Sequence, residues 1–164
     1  MYEEWYEKIS EPFRSAAAAR AVNVLDKLLV YIIAAVYLGM VAWLIVGGDM
    51  RAVKAIAVPA LTFALVTVIR KTIDAPRPYQ LHDIDPIIHK DRQGQSMPSR
   101  HISSAVIIAC AEAWIWPAWG VVAGVLCLIV AFCRVVGGVH FPRDVVAAIA
   151  IALACGVVGF WLIP

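Results

Sequence analysis

Long uncharged apolar runs dominate this chain, and a run of about 20 such residues is long enough to cross a bilayer. Stretches near residues 23–46, 52–69, 101–119, 120–136 and 144–163 predict five membrane-spanning helices. Hydrocarbon offers the backbone no hydrogen-bond partners, so each span must satisfy its own amides as a helix. The chain is 62% hydrophobic and only 16% charged, well below the roughly 25% charge of soluble domains. The second span is the shortest in effect, with Lys54 able to snorkel from one end and Pro59 as an expected kink. Gly47 to Arg51 forms a tight polar turn, and Trp114-Ile115-Trp116-Pro117-Ala118-Trp119 reads as an interfacial aromatic belt with a breaker. The expected fold is an all-α integral membrane bundle, one domain over 1–164.

Within that domain, residues 1–20 form a separate amphipathic helix and 23–164 the transmembrane bundle. Tyr2, Trp5, Tyr6, Ile9 and Phe13 recur at helical spacing, with Glu3, Glu4, Glu7, Lys8 and Glu11 opposite. Such a helix lies in the headgroup layer of the bilayer or docks on the protein itself; its acidic face leaves both open. The start Met1-Tyr2-Glu3-Glu4-Trp5 lacks the basic opening of a cleavable signal, so the first span is expected to act as its own insertion signal. A net charge of +2 from dispersed basic residues argues against a nucleic-acid partner. Cys110, Cys127, Cys133 and Cys155 fall in or beside apolar runs without CxxC spacing and are read as small packing residues. Gly and Ala in the last two spans permit close packing, including a homo-oligomer.

Five spans bring the second and fourth connections to one membrane face, and those connections hold three charged islands: 70–78, 96–101 and 134–144. Of the 14 Lys and Arg residues, only Arg51 and Lys54 lie away from that face and the N-terminus beside it. Ser99 is a natural N-cap for the third span, which places His101 in the first helical turn, where free amides favour an anion. His140 stands four residues before Asp144, a spacing that lets a carboxylate orient one ring nitrogen and raise the basicity of the other. Arg70, Arg77 and Arg134 add guanidinium forks suited to phosphate oxygens. Two histidines, three arginines and no cluster of carboxylates suited to hard metals point to phosphoryl transfer without a metal or other cofactor. His140 would be the nucleophile, Asp144 its orienter and His101 the acid for the leaving group.

At these residues the chain resembles the type 2 phosphatidic acid phosphatases, integral-membrane lipid phosphatases that share a site with the vanadium haloperoxidases. The family's motifs K-x6-R-P, P-S-G-H and S-R-x5-H-x3-D are matched in order by Arg70-x6-Arg77-Pro78, Pro98-Ser99-Arg100-His101 and Cys133-Arg134-x5-His140-x3-Asp144. The resemblance covers roughly residues 55–160 and implies a phosphohistidine on His140, with His101 and Asp144 assisting. It also implies Arg70, Arg77, Ser99 and Arg134 as phosphate ligands, with no metal. Arg70 stands where the family has lysine, Arg100 where it has glycine and Cys133 where it has serine. Arg100 adds a cation near the substrate, whereas Cys133 is given no role.

The implied substrate is a membrane lipid carrying a phosphomonoester or pyrophosphate, of the phosphatidic acid, phosphatidylglycerol phosphate or isoprenyl pyrophosphate type. A lipid phosphotransferase using the same histidine and a catalytically silent phospholipid-binding protein are the competing readings. The resemblance implies a multi-pass bacterial inner-membrane protein with its site on the extracytoplasmic face, whereas the positive-inside rule puts the basic face in the cytoplasm. The loop over 79–95, which also carries Lys90 and Arg92, is expected to cover the site or meet headgroups; its His82 and His89 are read as solvated, with a metal held between them and Asp83, Asp85 and Asp91 as the alternative. Glu112, mid-span and on nearly the same helix face as His101, is expected to be tied to Tyr31, Tyr37 or Thr62, or else to act below the site.

Overall fold

The computed structural model describes residues 1–91 and 93–163; Arg92, one of the loop residues named above, and Pro164 lie outside the described residues. Among the described residues the regular structure is entirely helical. An N-terminal helix α1 (Tyr2–Ser10) and a short 3-10 turn (Glu11–Phe13) precede α2 (Ala16–Val46). Then come α3 (Arg51–Ile73), the single-turn α4 (Pro78–Leu81), α5 (Arg100–Ile115), α6 (Pro117–Val136) and α7 (Pro142–Gly156), which widens into a π-helical segment, Val157–Leu162. The amphipathic unit is therefore broken. Pro12 ends α1's register, and Ser15 caps α2 by accepting the Ala18 amide at 3.3 Å, well before residue 23. Pro59 lies inside α3, which continues through it.

Four helices are long and apolar enough to cross a membrane: α2, α3, α6 and α7 with its extension. The third expected span is the correction. Trp116 leaves helical geometry and Pro117 restarts the chain as the first residue of α6, so α5 stops at 16 residues. At 1.5 Å per residue that is about 24 Å, short of a hydrocarbon core of about 30 Å. The shortness is tolerable because α5 is the hub: it packs against α2, α3, α6 and α7. Ile102, Ala105, Ile107 and Ala111 of α5 are buried against Ile33, Met40 and Leu44 of α2, Ala123 and Val130 of α6, and Ala148 and Ala152 of α7. Small residues set these distances. A Cβ on Gly120 would fall 2.3 Å from Ala113, so α5 and α6 meet there backbone to backbone.

Helix α1 is docked on the protein. Tyr6 is fully buried, donates its hydroxyl to the Val136 carbonyl at 3.1 Å and accepts the Ile87 amide at 3.3 Å. Tyr2 packs on Phe141 with ring centroids 4.9 Å apart and stacks on His82 at 4.5 Å. This end of the bundle is where the three charged islands meet.

Candidate active site

The main chain holds the islands together before any side chain acts. The Ser96 amide donates to the Ala75 carbonyl at 2.8 Å, the Ser99 amide to Asp144 at 3.0 Å, and the Ile88 amide to Gly137 at 3.0 Å. Gly138 makes the turn into His140 with φ +73°, and a Cβ there would strike the Tyr6 hydroxyl at 2.7 Å. Glycine lets α1 close over that turn.

Arginine donors reinforce the same frame. Arg70, at the end of α3, donates Nη1 to the carbonyls of Ser96 and Pro98. Arg77 donates Nε to Gly94 at 3.2 Å and Nη1 to Val139 at 3.3 Å. Gln80 accepts both the Arg77 amide and the Gly94 amide at 2.9 Å, fixing the loop against α4. Arg134, fully buried near the end of α6, pairs through Nε with Asp26 of α2 at 2.7 Å.

Asp144 caps α7 and serves the site with one oxygen. Its Oδ2 accepts the Phe141 amide at 3.0 Å and the Ser96 hydroxyl at 2.5 Å, and lies 3.6 Å from His140 Nδ1. The Ser96 oxygen stands 3.3 Å from the same Nδ1. With its proton given to Asp144, Ser96 accepts from Nδ1–H, which leaves Nε2 as the unprotonated ring nitrogen. Burial pulls the His140 imidazole from its usual 6.5 to about 4; the Asp144 carboxylate opposes this, and Arg77 and Arg134 reinforce it.

Arg70, Arg77, Arg100, Arg134, Lys90 and the two rings of His101 and His140 line one cavity of about 50 Å³. No carboxylate lines it among the described residues. Five cations around so small a space, in a region of low dielectric, favour a multiply charged oxyanion. His101 stands in the first turn of α5 as the sequence predicts, and Ser99 is its N-cap by position. The Ser99 hydroxyl, however, makes no cap bond and is buried without a hydrogen-bond partner among the described residues, beside the cavity's helix terminus. Arg100 also lies over the Phe63 ring, 5.5 Å from its centroid.

Every residue singled out in the three islands thus falls in or against one cluster. Three further residues join it. Ser96 bridges Asp144 and His140; Asp26 holds Arg134; and Lys90, from the loop expected to cover the site or meet headgroups, lines the cavity, where burial and Arg134 bring its ammonium from 10.5 down to about 8. Asp26 carried a legible signal, an ionisable residue inside an apolar run, whereas Ser96 and Lys90 look like any polar loop residues. His82 and His89 stay outside: His82 lies 3.4 Å from Glu3, and exposed His89 lies 3.6 Å from Asp85. Glu112 is a second correction. Tyr37 donates to Ala55 and Thr62 to Val58, so neither holds Glu112, whose polar neighbour is instead the Trp119 indole.

A sequence model of one family, the PAP2 superfamily, matches residues 51–164, all three islands included. The chain belongs to the PAP2 superfamily. No curated protein matches it by sequence. In structure this PAP2 protein is similar to LpxE of Aquifex aeolicus, with a TM-score of 0.74 at 21% identity over 95% of this chain and 92% of that one. It is also similar to a transmembrane PAP2 type phosphatidylglycerolphosphate phosphatase from Bacillus subtilis, with a TM-score of 0.54 at 19% identity over 97% and 94%. At those identities the likeness establishes the fold.

Proposed function

We propose that this PAP2 protein is a membrane lipid phosphatase that releases phosphate from a lipid phosphomonoester or pyrophosphate through a phosphohistidine. The observation that carries the reading is the single cavity lined by both imidazoles and five cations, at the polar end of an apolar bundle. Arg70, Arg77, Arg100, Arg134 and Lys90, with the Ser99 hydroxyl, hold the phosphoryl oxygens and neutralise their charge in the transition state. Nε2 of His140 attacks phosphorus as the bond to the leaving oxygen breaks. His101, which burial and Arg134 bring down to about 3 before substrate binds, takes up a proton as the negative phosphate enters the cavity and gives it to that oxygen. His101 then takes a proton from water, which attacks the phosphohistidine and releases inorganic phosphate with His140 restored. Ser96 and Asp144 hold the Nδ1 proton throughout, so the ring keeps one tautomer.

Phosphate release by the full chain in lipid–detergent micelles, tested over phosphatidic acid, phosphatidylglycerol phosphate and isoprenyl pyrophosphate, checks the reading. His140→Ala is expected to lower kcat/KM by more than about a thousandfold while the variant remains folded. Release that persists in that variant refutes the assignment.

A further inference from the structure

The phosphate cavity has a neighbour. A second space of about 220 Å³ is lined by Asp26, Lys27 and Tyr31 of α2 together with Lys90, His101 and Arg134. The last three side chains belong to both spaces, whereas His140 lines only the smaller one. Phosphoryl transfer places the attacking and leaving oxygens roughly in line through phosphorus. With Nε2 of His140 on one side, the leaving oxygen points away from it and toward His101, which stands at the junction. The larger space is therefore the chamber of the leaving group.

Its charge says what kind of leaving group fits. Asp26 is the acidic residue lining it, and that carboxylate is committed to Arg134 at 2.7 Å. Lys27 then remains as the uncommitted positive charge, with Lys90 at the boundary shared with the phosphate cavity, and neither forms an ion pair within 4.0 Å among the described residues. A neutral alcohol such as a diacylglycerol gives the Lys27 ammonium nothing to bind. A leaving group with a phosphate of its own does.

We propose that the Lys27–Lys90 chamber receives a second phosphate borne by the leaving group, so that the protein prefers lipid phosphates in which another phosphate lies on the far side of the scissile bond. This rests on the phosphatase reading above and narrows it. Two chemistries share the feature: a phosphoanhydride, with the second phosphate adjacent, and a phosphodiester headgroup, with the second phosphate a glycerol away.

The test compares kcat/KM within two substrate pairs: isoprenyl pyrophosphate against isoprenyl monophosphate, and phosphatidylglycerol phosphate against phosphatidic acid. An anhydride is intrinsically the more reactive, so the decisive quantity is how the ratio within each pair responds to Lys27. Lys27 is solvent-exposed at the rim and its replacement creates no core defect. Lys27→Gln is expected to lower the ratio about tenfold in the pair whose chemistry the chamber fits, the loss of one charge-assisted contact, and Lys27→Arg to keep it. A response in the first pair alone assigns the anhydride, and in the second alone the phosphodiester. Ratios within twofold of the parent in both pairs, with phosphate still released, overturn this proposal and leave the phosphatase reading intact. Absence of release from all four substrates, or equal release by His140→Ala, removes both.

Discussion

Buried acids in opposite halves of this molecule are treated in opposite ways. At the polar end, Asp144 has a serine, a backbone amide and an imidazole around one oxygen, and Asp26 has a guanidinium at 2.7 Å. In the far half of α5, Glu112 is as deeply buried, yet it has no ion-pair partner among the described residues and its polar neighbour is the Trp119 indole, not a group of the site. Burial of an acid therefore does not by itself mark function in this bundle. What marks the site is that its carboxylates are spent on orienting other groups: Asp144 fixes a ring, and Asp26 fixes a guanidinium that lines the same cavity as that ring.

Removing Asp26 is the strongest way to break that contrast. Asp26→Ala leaves Arg134 buried without its partner, which costs about 3–5 kcal/mol of stability, and thermal unfolding in detergent should fall by several degrees. The same measurement on Glu112→Gln should show little change. An Asp26→Ala variant as stable as the parent would show that the pair is not holding Arg134.

Ser96→Ala sharpens the contrast at smaller scale. Loss of a positioning contact beside a reacting imidazole typically costs about 10–100-fold, expected here in kcat for lipid phosphate hydrolysis with KM little altered. The pH profile gives an independent readout. His140 titrates near 4 in the folded protein against about 6.5 unfolded, so it stays neutral well below pH 6. Its contribution to stability is full above about 6.5 and is lost as pH falls toward 4, where the unfolded chain binds the extra proton. An acid limb of kcat/KM near pH 6.5 in the parent would contradict this burial.

Glu112→Gln gives the smallest expected effect, phosphate release within about twofold of the parent, since no contact links it to the cavity. A loss of tenfold or more would place a working acid in the membrane's far half and erase the distinction between the two halves.

Much of this was legible in the residues alone. The spans, the shared face and the cluster of His101, His140, Arg70, Arg77 and Arg134 follow from apolar run length and from which residues interrupt the runs. The end of α5 was misplaced because Trp114 to Trp119 is apolar enough to continue a span, and the break depends on Pro117 being taken as the start of α6. Ser96, Lys90 and the Asp26–Arg134 pair were hidden for another reason. The partners of Ser96 and Asp26 lie 48 and 108 residues away in sequence (144 − 96 and 134 − 26), and no local pattern reports a contact of that separation; Lys90 reaches the cavity from a loop whose sequence carries no pattern of its own. Glu112 was visible but its environment was not, because the tyrosine and threonine expected to hold it bond to carbonyls instead.

The stitching of the three islands by amides and carbonyls has an evolutionary corollary. Ser96 to Ala75, Ser99 to Asp144 and Ile88 to Gly137 are bonds that most side-chain replacements leave in place. A cation whose side chain makes no bond to that scaffold among the described residues, such as Arg100 over the Phe63 ring, can be exchanged without dislodging its neighbours. An arginine at position 100, where the motif this chain resembles has glycine, then changes the charge displayed while the architecture stands still.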